Sequence, residues 1–160
     1  MDTSTLPAAI ELIRLADPSQ SVTVRLRSPE PTLESLGVRY YDAEAVVTSG
    51  FVNGTVYLGF DSEDLSDWGR LLNAIEENEQ EADFDDPFTA DWPRSGRTAY
   101  LRIIADDPYT VEVHDGPSTQ IVVSVPLDMS EEWIAESRKR LADARAALGV
   151  DTEDHYDTRL

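Results

Sequence analysis

The stretch from Ala43 to Ile75 constrains the fold more than any other. Two runs of alternating residues meet there at Asn53-Gly54, and the second leads straight into an acidic amphipathic segment. Asn-Gly between alternating apolar residues is the strongest short-range hairpin signal, because a type I′ turn needs positive φ at both central positions. The pattern predicts a strand over 40–52 and a partner over 55–60. A two-residue turn would set Phe51 opposite Val56, Ser49 opposite Leu58 and Val47 opposite Phe60 on the mostly apolar face. Gly50 would then lie opposite Tyr57, whose ring can cover a strand glycine. Leu65, Trp68, Leu71, Leu72 and Ile75 follow the helical period, predicting a helix over about 62–77. Asp61 or Ser62 would cap it, and acids in the first turn favour its dipole.

The rest of the chain supplies strands and one more helix. Glu11 to Leu15 is a short apolar run stopped by Asp17-Pro18-Ser19, and 21–27 alternates with Val22, Val24 and Leu26 on one side. These two pair as a hairpin. Residues 28–37 hold two prolines and no period, and read as a connection. Ala82 and Phe84 alternate with acids in a segment that could form a short, charge-blunted edge strand. Runs 98–105, 109–115 and 119–125 form a meander, joined at Asp106-Asp107-Pro108 and Asp115-Gly116-Pro117. A last helix is predicted over about 129–148, capped by Asp128 or Ser130 with Glu131 completing a capping box. Trp133, Ile134, Leu141, Ala144 and Leu148 give its buried face, and Gly149 its stop. The expected fold is α+β: a mainly antiparallel sheet of about six or seven strands, one inserted helix and one C-terminal helix. Residues 1–150 form the single domain and 151–160 a polar tail.

Charge limits the partners. Thirty-two acids against thirteen bases give a formal net charge of −19, which repels phosphate backbones and anionic membranes and would steer a basic partner. Twelve of the bases are arginine and one, Lys139, is lysine, the usage of a GC-rich genome; a halophilic host is the competing origin. No apolar run approaches a membrane span, and Met1-Asp2-Thr3-Ser4 lacks the basic and apolar regions of a signal peptide. There is no cysteine, hence neither a disulfide nor a thiolate metal site. A cytoplasmic location is expected.

Between Asp61 and Asp86 stand eleven acids and one base, Arg70. Such a run is either a solvated face or a patch for a basic protein, a cationic toxin or a nucleic-acid-binding protein. Its candidate partner-binding residues are Glu63, Asp67, Glu77, Glu79, Glu81, Asp83, Asp85 and Asp86. Trp92, in a loop beside Pro93, joins them as an interface anchor or else plugs the core. A calcium loop starting at Asp83 fails, because Phe88 and Arg94 occupy the positions that need Gly and Glu. No serine sits in a nucleophile elbow, and no Gly-rich phosphate loop occurs. His114 falls on the outward phase of its strand with Thr110 and Glu112, and His155 lies in the tail. Carboxylate pairs suited to glycoside hydrolysis carry no specificity among so many acids. No catalytic residue, cofactor or metal is therefore expected.

The succession Glu11-Leu12-Ile13-Arg14-Leu15-Ala16-Asp17, Val22-Thr23-Val24-Arg25 and Tyr41 to Val52 resembles a family of small acidic actinobacterial proteins of unknown function. Leu65-Ser66-Asp67-Trp68 and Val125-Pro126-Leu127-Asp128 resemble it too, so that the likeness spans about 10–148. The layout of sheet, inserted helix and final helix is also similar to the WapI-type immunity proteins of bacterial toxin systems. These residues and likenesses lead to a non-enzymatic acidic binding protein, an immunity or antitoxin-like inhibitor of a basic protein. The alternatives are a small enzyme or ligand-binding domain with a carboxylate pocket, or an inhibitor whose carboxylates imitate DNA.

Overall fold

The computed structural model describes residues 10–81, 87–94 and 98–150. Within them lie nine strands in two antiparallel sheets and two helices, an α+β fold. The first sheet is built on β4 (Val38–Thr48). One side of β4 pairs with β2 (Ser21–Leu26) along 43–48 and with β3 (Leu33–Ser35) along 38–40; the other side pairs with β5 (Gly54–Asp61). β1 (Ile10–Ala16) adds to β2 as the predicted hairpin, with a bulge between Glu11 and Ile13 that lets Leu12 and Ile13 both reach the core. The second sheet is a meander of β6 (Phe88–Trp92), β7 (Tyr100–Ala105), β8 (Tyr109–His114) and β9 (Val122–Leu127). α1 (Ser62–Glu81) follows β5, and α2 (Trp133–Leu148) closes the fold.

Two hairpins exchange the roles that the sequence pattern gave them. Asn53-Gly54 does not make a type I′ turn, since neither residue has positive φ. The Ser49 hydroxyl accepts the N–H groups of Phe51 (3.1 Å) and Val52 (2.7 Å), and the Asn53 side chain accepts that of Ser49 (3.1 Å). These local bonds make a longer loop over 49–53 cheaper than the two-residue turn. Val56 consequently pairs with Ala45 instead of Phe51, a displacement of six residues (51 − 45). Six is even, so every side chain keeps its face. Val47, Leu58 and Phe60 are buried as expected, whereas Phe51 stands 95% exposed at the loop tip. The turn with positive φ at both positions is Leu36-Gly37 (53° and 82°), between paired Ser35 and Val38 in a segment that reads as a mere connection.

Other boundaries moved for equally local reasons. α1 runs to Glu81 rather than ending near 77. Asp61 caps it by accepting the N–H groups of Glu63 (2.9 Å) and Asp64 (3.0 Å), while the Asp64 carboxylate accepts the N–H of Asp61 (2.9 Å). This is a reciprocal capping box with Asp in the usual Glu position. α2 begins at Trp133, not 129; Glu132 is its N-cap and makes no side-chain capping bond. Asp128 is held elsewhere, its N–H donating to Asp17 (2.9 Å) at the β1–β2 turn. The predicted strand at 119–125 sits at 122–127, because Thr119 to Ile121 fold back on Asp115. Gly149 stops α2 in the left-handed conformation, as its position implies. The short edge strand considered around Ala82 and Phe84 lies outside the described residues.

Both helices cover one face of the first sheet. α1 buries Leu65, Trp68, Leu71, Leu72 and Ile75, and α2 buries its predicted face together with Ser137 and Arg145. The helices cross at Gly69, where an added Cβ would come within 3.4 Å of the Leu141 side chain. Arg138 bridges them to Glu76 (2.7 Å) and Asn73 (2.8 Å). No helix among the described residues is long and apolar enough to cross a membrane.

Leu36 is fully exposed at positive φ, where a γ-branched residue gains nothing from packing and is strained by its Cβ. Leu36→Asn should therefore stabilise the fold by about 0.5–1 kcal/mol. A urea midpoint unchanged or lowered in this variant would show that the turn is not strained.

Candidate functional site

The acidic run does not form one bare patch. Glu63, Asp67 and Glu77 share the outer stripe of α1, and Glu63 and Glu77 are exposed there with no ion pair among the described residues. Asp67 is held by Arg70 at 2.5 Å within the same stripe. Glu79 points away, toward the second sheet, and accepts a hydrogen bond from the Tyr109 hydroxyl. Burial, then that bond to Glu79, raises the Tyr109 pKa. Glu76 is tied to Arg138, which holds its carboxyl below the usual range. Glu81 ends the helix, and its side chain lies outside the described set, as do Asp83, Asp85 and Asp86.

Trp92 is not a surface anchor. It lies on β6 rather than in a loop, and its side chain is 0% exposed. Its ring packs against Phe60 (5.5 Å) and edge-on against Trp68 (6.2 Å), and its Nε1–H donates to the Asp64 carbonyl at 2.7 Å. No partner can reach it. The reading of Trp92 as a core plug is the one the packing supports, delivered by a strand whose alternation is masked by Pro87 and Pro93.

Between α1 and β6 lies a depression of about 350 Å³ lined by Asp67, Arg70, Phe88, Asp91 and Arg94, among others. Through Asp91 and Arg94 it adjoins a second, of about 560 Å³, on the outward face of the second sheet. That face carries a row of paired polar groups: Arg102 binds Asp91 through both Nε (2.8 Å) and Nη2 (3.1 Å), and Glu112 meets His114 Nε2 at 2.8 Å. The bond to Asp91 pushes the Arg102 pKa up. His114 stacks on Tyr100 at 4.5 Å, nearly parallel, with the Arg102 guanidinium 5.8 Å from the Tyr100 ring. His114 does point outward with Thr110 and Glu112, yet is largely covered by this stack. Periodicity alone could not disclose the row, since Asp91 pairs with Arg102 only once β6 is recognised as a strand.

The acids that line the two depressions are each paired: Asp67 with Arg70, Asp91 with Arg102 and Glu112 with His114. Among the described residues no three His, Asp or Glu side chains could hold a metal ion. The carboxyl most displaced from its ordinary state is Asp64, raised to about 6 by burial and by the charges of Asp61 and Asp67. Asp64 lines neither of these two depressions.

With this geometry in hand, the match of residues 10–149 to a family of unknown function, DUF5959, decides the relationship. The chain belongs to that family. No curated protein and no solved structure matches it. The family match thus covers both sheets and both helices, including the capped start of α1 and the Trp92 contact.

Asp64 gives a pH prediction. Its folded pKa lies above its unfolded value, so the native state binds the extra proton between about pH 4 and 6 and stability falls as pH rises through that window. Asp64→Asn keeps an acceptor for the Asp61 N–H but removes the charge. It should raise stability by on the order of 1 kcal/mol at pH 7.5 and change little at pH 4.5. Equal effects at the two pH values would refute the burial of that charge.

Proposed function

We propose that this DUF5959 protein is a non-enzymatic acidic binding protein that holds a basic protein partner, as an immunity or antitoxin-like inhibitor does. The observation that carries the reading is the outer stripe of α1. Glu63 and Glu77 stand exposed on it with no ion pair among the described residues, in a chain of net charge −19. Asp67 contributes as well, because its bond to the exposed Arg70 is a surface ion pair that an incoming arginine could replace at little cost. Such a surface steers a cationic partner and speeds association. The depression beside it, with Phe88 at its wall, would supply the short-range complementarity that sets the lifetime.

The arrangement of sheet and helices, with the acidity, is in keeping with the WapI-type immunity proteins. A cytoplasmic, actinobacterial setting would account for twelve arginines beside a single lysine. A cationic toxin or a nucleic-acid-binding protein is the partner that this chemistry fits.

The test is affinity capture from the native host at low and then high salt, with wild type and the double variant Glu63→Gln/Glu77→Gln side by side. One stoichiometric basic protein should be retained by wild type, be released by salt, and bind the variant several-fold more slowly. Retention of the same protein by both chains with equal kinetics would remove the stripe from the interface. An empty wild-type column would remove the proposal.

A further inference from the structure

Strands at the edge of a sheet turn a row of backbone N–H and C=O groups outward, and folded chains blunt such edges with charges, prolines or covering segments. Among the described residues, the edge strands of the first sheet each carry a charge: Glu11 and Arg14 on β1, Glu34 on β3 and Asp61 on β5. In the second sheet, β6 carries Asp91 and lies between Pro87 and Pro93. β9, at the opposite edge of that sheet, carries none. The chain is uncharged from Gly116 to Leu127, although 28% of its residues are charged.

The N–H and C=O of one residue in an antiparallel strand point to the same side, and successive residues alternate. The Asp115 N–H donates to the Ile121 carbonyl (3.0 Å), so Ile121 faces β8, and Val123, Val125 and Leu127 follow it. Val122, Ser124 and Pro126 therefore turn their backbone groups away from the sheet. One end of this edge is closed by the β1–β2 turn. Pro126 has no N–H to offer, its carbonyl accepts from the Gln20 side chain, and the Asp128 N–H donates to Asp17 (2.9 Å). The other end is open. Two N–H and two C=O groups, those of Val122 and Ser124, have no partner among the described residues. The side chains beside them are exposed as well, Ile121 by 61% and Val122 by 45%.

The surroundings of the open stretch select its occupant. Register runs Asp91, Arg102, Glu112 and Ser124 in one row across the outward face, and Tyr100, His114 and Val122 in the next. A strand added beside β9 would continue both rows. Its residue opposite Ser124 would face Glu112 over a small side chain, two strand spacings or about 10 Å away, a gap that a long basic side chain spans. Arg102, the base already in that row, is held by Asp91 through two bonds. Asp115 stands at one end of the edge, and Asp17 and Asp128 at the other. The bond from the Asp128 N–H, with those from Ser19 and Gln20, keeps the Asp17 carboxyl below its usual range. A second copy of the chain would bring the same acids and a further net charge of −19 to this edge, which opposes self-pairing. An extended segment with a cation opposite Ser124 and an apolar residue opposite Val122 matches both the charge and the four backbone groups.

We propose that the open half of the β9 edge takes an added strand from a cationic protein segment, paired to the backbone of Val122 and Ser124 with a basic side chain over Glu112. The site is separate from the α1 stripe and stands or falls independently of it. The probe is the blocked peptide Thr-Val-Thr-Arg-Thr-Val-Thr, titrated into labelled protein and followed by amide chemical shifts, beside the same peptide with Glu in place of Arg. Saturable shifts are expected at 121–125, with a dissociation constant on the order of 1 mM for the arginine peptide and roughly tenfold weaker binding of the other. Ser124→Pro removes an outward N–H and leaves the ladder to β8 intact, as Pro126 does two residues on. It should weaken the arginine peptide about tenfold with little change in melting. Ser124→Lys keeps that N–H and should reverse the order of the two peptides. Shifts that do not saturate, equal affinity for both peptides, or either variant binding as wild type does would overturn the proposal. A wild-type dimer that Ser124→Pro dissociates would overturn it too, by giving the edge to a second copy.

Discussion

The fold depends on one side chain that three elements share. Trp92 comes from the second sheet, its ring rests on Phe60 of the first sheet and on Trp68 of α1, and its indole N–H closes on the Asp64 carbonyl in the first turn of that helix. That carbonyl is an intrahelical acceptor with a lone pair to spare, so the bond adds to the helix without breaking its ladder. Tyr41 stacks on Phe60 at 5.5 Å and extends the aromatic core into β4. Burying groups of this size contributes several kcal/mol each, and much of it would be lost if the second sheet moved away. Lighter links lie at the periphery, among them Asp17 to Asp128, Gln20 to Pro126, Tyr109 to Glu79 and to Trp133, and Thr98 to Gly59.

The same end of α1 holds Asp64 in an unusual state. A residue in the first helical turn is normally solvated and favoured by the dipole, but here partial burial works against the charge of its carboxylate. Its charge is then opposed by Asp61 and Asp67, which belong to the same capped end. The acids that make the start of α1 readable as a helix N-terminus thus also set a charge against burial, and the fold tolerates it because Asp64 answers the Asp61 N–H.

How much the sequence discloses follows from which interactions are local. Period-two and period-3.6 patterns place the strands around Val24, Val47, Leu58 and Val111 and the buried faces of both helices, since burial of one face is a property of each segment. Gly149 is readable because only a left-handed stop fits there. The hairpin register is not, because Ser49 and Asn53 can satisfy their neighbours' backbone groups and thereby outcompete the two-residue turn, while Leu36 accepts the positive φ instead. β6 is hidden for another reason: only five residues long and flanked by prolines, it is defined by pairing with β7. Missing that strand meant reading Trp92 as a loop residue and the chain as one sheet. For the candidate site, composition located the acids of α1, but which of them are free depends on Arg70, Arg138 and Tyr109, two of which come from distant segments.

Net charge alone is a poor guide to what this surface meets. The acids dominate in number, yet the scarce arginines are placed where they matter: Arg138 joins the helices, Arg102 holds the row on the second sheet, and Arg25 and Arg27 fix Glu44. Each pair cancels locally, so the far field is set by acids such as Glu63 and Glu77 that no arginine among the described residues answers. At the outward face of the first sheet Glu44 is shared by two cations, and the register sets Glu11 opposite Arg25. The alternation of β2 and β4 thus buries apolar residues on one face of the sheet and pairs charges on the other.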